Sequence, residues 1–275
     1  MKRDFHHKHS LGQNFITDDS LFARLVDLAG VGEDDCVLEI GAGAGGLTKA
    51  LAERCREVTA IEVDGALIPI LKVALEKYPN VRLVHGDVMR LNLGEITSIW
   101  PRFHIVANIP YYLTTDLMTM LLRSSLPVDS ISVMVQKEAA QRIAAGPGEE
   151  GWGMLAVRAR YVYEIRIALD VPAAAFTPPP KVDSAFVVMR RRTAPAVQTA
   201  DEALFFRVAA AAFAMRRKTM ENNLMASFHL GREEAREWME SCGIPPNVRG
   251  EMLSLAQLAA LSNAAKNKAA CQSMG

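Results

Sequence analysis

An α/β fold, with a mostly parallel sheet covered by helices and followed by a small all-helical unit, is what the sequence predicts. Three observations carry that prediction. Short apolar runs alternate with stretches of helical spacing up to about residue 190. A glycine-rich segment follows the first of those runs, and beyond residue 200 the apolar positions recur at helical spacing only.

In chain order, Leu21, Leu25, Val26 and Leu28 fall at helical spacing over residues 18–30, with Asp18 and Asp19 as cap residues. The strand candidates are Cys36 to Ile40, Val58 to Val63, Val81 to Val84, His104 to Ala107, Ile131 to Val135, Ile165 to Val171 and Ala185 to Met189. Strands that alternate with helices imply parallel pairing and helices on both faces. Arg190-Arg191-Arg192 and the polar stretch Thr193 to Ala200 break the rhythm. Helical spacing then resumes at Leu204, Phe205, Val208, Ala211 and Ala212, and again over Arg232 to Cys242 and Leu253 to Asn263, with Gly243-Ile244-Pro245-Pro246 as a loop between the last two. A domain boundary near residue 195 is expected, giving units 1–195 and 196–275. A chain of 275 residues, half of them hydrophobic, can fill one full core and a small second one.

The 31 basic and 31 acidic side chains cancel, so a nucleic-acid partner would have to be gripped by local basic patches rather than by overall charge. The four cysteines, Cys36, Cys55, Cys242 and Cys271, include no CxxC pair, which argues against a disulfide framework and against a zinc site. A reducing cytoplasm is the expected location, and no apolar run reads as a signal peptide or a membrane span. The cluster His6-His7-Lys8-His9 reads as part of a basic N-terminal arm rather than as a metal site.

The segment Glu39 to Thr48, EIGAGAGGLT, places Gly41, Gly43, Gly45 and Gly46 between a strand and a helix. Glycines there let backbone approach a ligand closely. The spacing also fits a nicotinamide dinucleotide site, with Glu62 about 20 residues on as a ribose ligand, so spacing alone leaves the cofactor open. Two acids shift the balance. Glu39, two residues before Gly41, suits a cofactor bearing a cationic amino group, and Asp87 at the end of the third strand can accept a bond from an adenine amine. Both features resemble Rossmann-like methyltransferases that use S-adenosylmethionine.

At the end of the fourth strand stands Asn108-Ile109-Pro110-Tyr111, followed by Tyr112. Tetrads of this kind resemble those of methyltransferases acting on an amine conjugated to a ring. Such an amine is a poor nucleophile until hydrogen-bond acceptors localise its lone pair. The Asn108 side-chain oxygen and the Ile109 carbonyl, held extended by Pro110, are suited to accept one amine hydrogen each, while Tyr111 stacks on the base. In-line placement then removes much of the entropic barrier without a strong base.

Further motifs join these: Leu11-Gly12-Gln13-Asn14-Phe15, Gln136-Lys137-Glu138, Ala175-Phe176-Thr177-Pro178-Pro179-Pro180-Lys181-Val182-Asp183-Ser184, Arg216-Arg217-Lys218-Thr219 and Asn222-Asn223-Leu224. Together, from about Gly12 to Leu261, the chain resembles the ribosomal RNA adenine dimethyltransferase family, and its helical part looks like the small-subunit, 16S-modifying branch. The resemblance implies that Asn14 and Ile16 close over S-adenosylmethionine, and that Gly41, Gly43, Glu62, Val63, Asp87 and Val88 bind it. It implies that Asn108 touches both cofactor and target, and that Phe176 serves as a second aromatic plate for a flipped adenine. It implies dimethylation of two adjacent adenines in 16S rRNA, within an immature small ribosomal subunit, by a monomer that needs no metal. The basic patches become candidate phosphate contacts. Large-subunit (23S) methylation remains an alternative, since it would share every catalytic residue. A non-catalytic RNA-binding assembly factor is disfavoured because the tetrad and the cofactor carboxylates are all present.

Overall fold

The computed structural model describes residues 15, 16 and 18–272, and its described part divides into two compact units. The first runs to Gln141 and takes in Glu164–Arg191; the second comprises Arg142–Tyr163 and the chain from Arg192 onward. The expected boundary near residue 195 placed 142–163 in the first unit, and here the structure differs. Trp152, Ala156, Val157 and Tyr161 are buried in one apolar cluster with Phe205, Trp238 and Leu258. Helical spacing in the sequence reports that a segment has an apolar face, not which unit receives it.

The first unit opens on strand β1 (Phe15–Ile16) and helix α1 (Asp19–Ala29). Asp18 caps α1 by accepting from the Ser20 N–H at 2.9 Å, and Gly30, left-handed at φ 68°, ends it. Strand β2 (Cys36–Ile40), helix α2 (Gly46–Ala52), β3 (Glu57–Glu62), α3 (Ile68–Ala74), β4 (Val81–His85), α4 (Leu93–Ile96), β5 (Phe103–Asn108), α5 (Thr114–Arg123) and β6 (Val128–Gln136) follow in alternation. After α6 (Lys137–Ala144) and α7 (Met154–Val162), the chain adds β7 (Tyr163–Val171), β8 (Phe176–Thr177) and β9 (Ser184–Arg191).

Seven strands form one sheet in the order β4-β3-β2-β5-β6-β9-β7. From β4 to β6 the pairs are parallel, and β9 runs antiparallel to β6. All five residues of β2 are buried, as a central parallel strand covered on both faces requires. All seven expected strands are present, extended by up to three residues at an end. The exception is Val63, which lies one residue past β3. The chain passes from β2 outward through β3 and β4, then returns to place β5 on the opposite side of β2. That reversal parts the connections at the carboxyl ends of β2 and β5 and opens a crevice there. A second sheet pairs β1 with β8, Phe15 opposite Thr177 and Ile16 opposite Phe176.

The second unit contains α8 (Glu202–Ala214), α9 (Met220–Phe228), α10 (Arg232–Glu240) and α11 (Leu255–Gln272) besides α7. Asp201 caps α8 by accepting from the Leu204 N–H at 2.9 Å. The buried indoles are satisfied by backbone: Trp238 donates to the Leu261 carbonyl at 2.8 Å and Trp152 to the Leu253 carbonyl at 3.1 Å. At Gly250 the two segments touch backbone to backbone, and a Cβ there would fall inside the Ala212 carbonyl group. Gly250→Ala is therefore expected to destabilise the second unit by about 2–4 kcal/mol, as severe overpacking against rigid backbone does. Denaturant melts of the full chain would show it, and an unchanged midpoint would contradict it. Among the described residues no helix is long and apolar enough to cross a membrane.

Candidate active site

The crevice at the strand ends is a cleft of about 490 Å³ in the first unit, a volume that suits a cofactor-sized ligand. Its floor is the glycine loop after β2. Gly41 has φ 83°, and its N–H donates to the Ile61 carbonyl at 2.9 Å. Gly43, at φ 56°, turns its N–H onto the Glu62 carboxylate, with the Phe15 ring so close that a Cβ would meet it at 3.3 Å. Both positions lie in the left-handed region, where glycine is unstrained.

Glu62 ends β3 almost fully buried. Each of its oxygens accepts one backbone N–H, from Gly43 and from Asp64, both at 2.8 Å. A carboxylate has about four acceptor sites, so each oxygen keeps one for a hydroxyl in the cleft. Val63 follows it, exposed, in the cleft wall.

Glu39 has a different environment. It lines the cleft with 0% exposure, and neither carboxyl oxygen reaches a hydrogen-bond partner. Burial pushes its pKa up to about 8, the neighbouring Thr48 hydroxyl offsetting this in part and the Glu62 charge adding to it. An unpartnered buried carboxyl is costly unless a cation arrives to pair with it. The donor set therefore fits a ligand with a cationic amino group near Glu39 and a hydroxyl pair near Glu62. With the folded pKa raised, Glu39 contributes stability that is fully present below its ordinary value near 4.5 and lost as pH rises through about 8. Glu39→Gln is expected to flatten the fall in melting temperature between pH 5 and pH 8 in the ligand-free protein, while parallel profiles for the two proteins would contradict the assignment.

Beside the glycine loop, β5 delivers Asn108 at its last position, its carbonyl oxygen 3.6 Å from where a Gly41 Cβ would stand, and the turn beyond it is braced from both sides. The Ile109 N–H donates to the Met134 carbonyl of β6 at 3.1 Å, and the Leu113 N–H to the Pro110 carbonyl at 2.9 Å. Pro110 is extended, at φ −55° and ψ 134°, ahead of a 3₁₀ turn over Tyr111–Leu113 that leads into α5. The Tyr111 hydroxyl hydrogen-bonds the Ser184 hydroxyl at 2.9 Å, which fixes the ring. Burial raises the pKa of that phenol, the Ser184 bond pulling it back in part and the Asp183 charge adding to the rise, so it stays neutral. Phe176, 3% exposed in β8, lines the same cleft, as do Ile16 and Phe15 from β1.

The structure thus brings Ile16, Gly41, Gly43, Glu62, Val63, Asn108, Ile109, Pro110, Tyr111 and Phe176 to one cleft. Asp87 and Val88 stand apart from its lining. Asp87 follows β4, its carboxylate accepting from the Met89 N–H at 3.0 Å and pairing with Arg90 at 3.5 Å, and Val88 is buried. Asn14, with Leu11, Gly12, Gln13 and the basic arm, lies outside the described residues. Sequence reading missed Phe15, Phe22, Tyr78 and Tyr112 as lining residues. Tyr112 carried a signal in adjoining the tetrad, whereas Phe22 and Tyr78 carried none. Among the described residues no group of three His, Cys, Asp or Glu side chains is arranged to hold a metal.

Comparison with known proteins adds a second line. A family model for ribosomal RNA adenine dimethylase matches residues 4–267. The chain is 42% identical over 268 residues to a ribosomal RNA small subunit methyltransferase A of Geobacillus thermodenitrificans, covering 94% of this chain and 91% of that protein. It is 43% identical over 271 residues to the protein of the same name from Shouchella clausii, covering 96% and 91%. Among solved structures it resembles the 23S rRNA methyltransferase ErmE at 26% identity and TM-score 0.73, covering 91% of this chain and 99% of that one. A dimethyladenosine transferase from Plasmodium falciparum, 22% identical with TM-score 0.73 over 90% of this chain and 95% of its own, shares the fold.

Proposed function

The chain belongs to the ribosomal RNA adenine dimethylase family, and from that premise we infer that it dimethylates the exocyclic amine of adenines, two adjacent ones, in 16S rRNA of the immature small ribosomal subunit. The relatives at 42% and 43% identity that carry the small-subunit name favour that branch over the 23S enzyme, which is similar at 26%. The observation that carries the chemistry is the braced turn Asn108–Tyr111 lining one cleft with Glu39 and Glu62.

S-adenosylmethionine supplies a methyl group on a positively charged sulfur when it occupies the cleft. Glu39 would pair with its amino group, Glu62 would accept from its ribose hydroxyls, and the Gly41–Gly43 backbone would leave room for it. Val63 would line the adenine end, and Ile16 would cover it. The target adenine leaves its helix and stacks against Tyr111 and Phe176, which returns stacking lost on extrusion. The Asn108 side-chain oxygen and the Ile109 carbonyl each accept one amine hydrogen, so the nitrogen lone pair turns out of the ring toward the methyl. The methyl would pass to that nitrogen, leaving the sulfur neutral. The nitrogen then carries the positive charge and gives its proton to water, so no strong base is needed. After the first transfer the amine keeps one hydrogen, which one of the two acceptors takes, and a second pass yields the dimethylated amine.

The second unit serves as the RNA-facing domain in this reading, with Arg216, Arg217 and Lys218 as phosphate contacts. Labelled methyl transfer to small subunits that lack the modification, followed by digestion to nucleosides, tests the assignment. Label in dimethyladenosine of 16S rRNA is expected. Label confined to large-subunit RNA would place the chain in the other branch.

A further inference from the structure

Three of the chain's five tyrosines and three of its ten phenylalanines line the cleft: Phe15, Phe22, Tyr78, Tyr111, Tyr112 and Phe176. Five of them are committed within the protein. Phe15 packs against Gly43 and Phe22 against Gly46. The Tyr78 hydroxyl donates to Glu53, and Lys77 sits 4.9 Å above its ring. Tyr111 is tied to Ser184, and Phe176 is buried.

Tyr112 is the exception. It is 61% exposed, and its side chain makes no hydrogen bond, ion pair or ring contact with a described residue. The 3₁₀ turn that carries both tyrosines has about three residues per turn, which sends consecutive side chains about 120° apart. Tyr112 therefore presents its ring at the cleft in a direction different from that of Tyr111, on a backbone braced by β6. An exposed, uncommitted aromatic face beside the reacting position suits a planar π-system. Extruding one base also leaves its neighbour in the strand without a stacking partner.

We propose that Tyr112 stacks on the nucleotide adjoining the target adenine in the same strand, so that the chain grips two consecutive bases at once. This rests on the RNA adenine methylation proposed above. It gives the enzyme a substrate-positioning residue that acts on recognition rather than on the transfer step, and it favours a single-stranded or opened segment over a paired one.

The test compares Tyr112→Leu, which keeps apolar bulk, with Tyr112→Phe, which keeps the ring. With small subunits as substrate, Tyr112→Leu is expected to raise KM about 10-fold or more while kcat changes by less than about twofold, and Tyr112→Phe to stay within about twofold of wild type in both. With 2-aminopurine at the adjoining position of a synthetic RNA hairpin, wild type and Tyr112→Phe quench the fluorescence on binding and Tyr112→Leu does not. Binding of S-adenosylmethionine, followed by calorimetry, is unchanged throughout. If Tyr112→Leu matches Tyr112→Phe in KM and in quenching, the inference is overturned while the functional reading stands. If the wild-type chain binds S-adenosylmethionine yet transfers nothing to small subunits, the functional reading fails and takes the inference with it.

Discussion

Asn108→Ala is expected to lower kcat for methyl transfer by about 10²- to 10³-fold, the cost of removing one preorganised hydrogen-bonding group from a reacting centre. The reasoning starts at the backbone. Asn108 is the last residue of β5, and its turn is pinned through Ile109 to β6 and through Pro110 to the following 3₁₀ turn. The backbone that carries it therefore needs no reorganisation when a base arrives. Alanine leaves the strand, the turn and the Ile109 carbonyl in place, so the amine keeps one acceptor and loses the other. The lone pair then stays conjugated for a larger share of encounters. Affinity for S-adenosylmethionine should fall by less than about tenfold, because Glu39, Glu62 and the glycine loop are untouched. A loss that appears wholly in cofactor affinity, with kcat preserved, would assign Asn108 to binding and remove it from the transfer step.

Glu62→Ala is expected to weaken S-adenosylmethionine binding by about 10²- to 10³-fold, measured by calorimetry, and to lower the melting temperature of the ligand-free protein as well. Two losses combine. The ribose hydroxyls lose a charged acceptor, and the Gly43 and Asp64 N–H groups, each 2.8 Å from a carboxylate oxygen, lose their partner in a buried setting. An unsatisfied buried donor costs about 1–3 kcal/mol. Glu62→Gln keeps one acceptor oxygen but turns an amide N–H toward a backbone donor, so it should fall between wild type and alanine on both measurements. If Glu62→Ala binds the cofactor as wild type does, the cleft is not the cofactor site.

The sheet was legible because its central strands are buried on both faces and read as near-continuous apolar runs such as Cys36 to Ile40, broken only by Glu39. The pairing of Phe15–Ile16 with Phe176–Thr177 was not, because two residues carry no period and their partner lies far along the chain. The same holds for residues 142–163. Met154–Val162 reads as a helix whichever core receives it, and only long-range packing against Phe205 and Trp238 assigns it to the second unit.

The site was legible in its chemistry and less so in its environment. Gly41, Gly43, Glu62 and the Asn108–Tyr111 turn announced themselves by type and position, since strand ends at a topological reversal converge on one crevice. Glu39 was readable as an acid placed before the loop, but its lack of any hydrogen-bond partner depends on what surrounds it in space. Asp87 stood at the expected strand end, yet its carboxylate turns to Met89 and Arg90 and it is not among the cleft-lining residues. Tyr112 adjoins the tetrad in sequence, but its 61% exposure depends on the fold.

The most direct test of the central claim is the dimethyladenosine content of 16S rRNA, read by mass spectrometry, in a bacterial strain that lacks this modification and is supplied with the chain or its Asn108→Ala variant. Restoration by the wild-type chain, with none by the variant at equal protein level, is the predicted result. Restoration by Asn108→Ala, or modification by the wild type confined to large-subunit RNA, would contradict it.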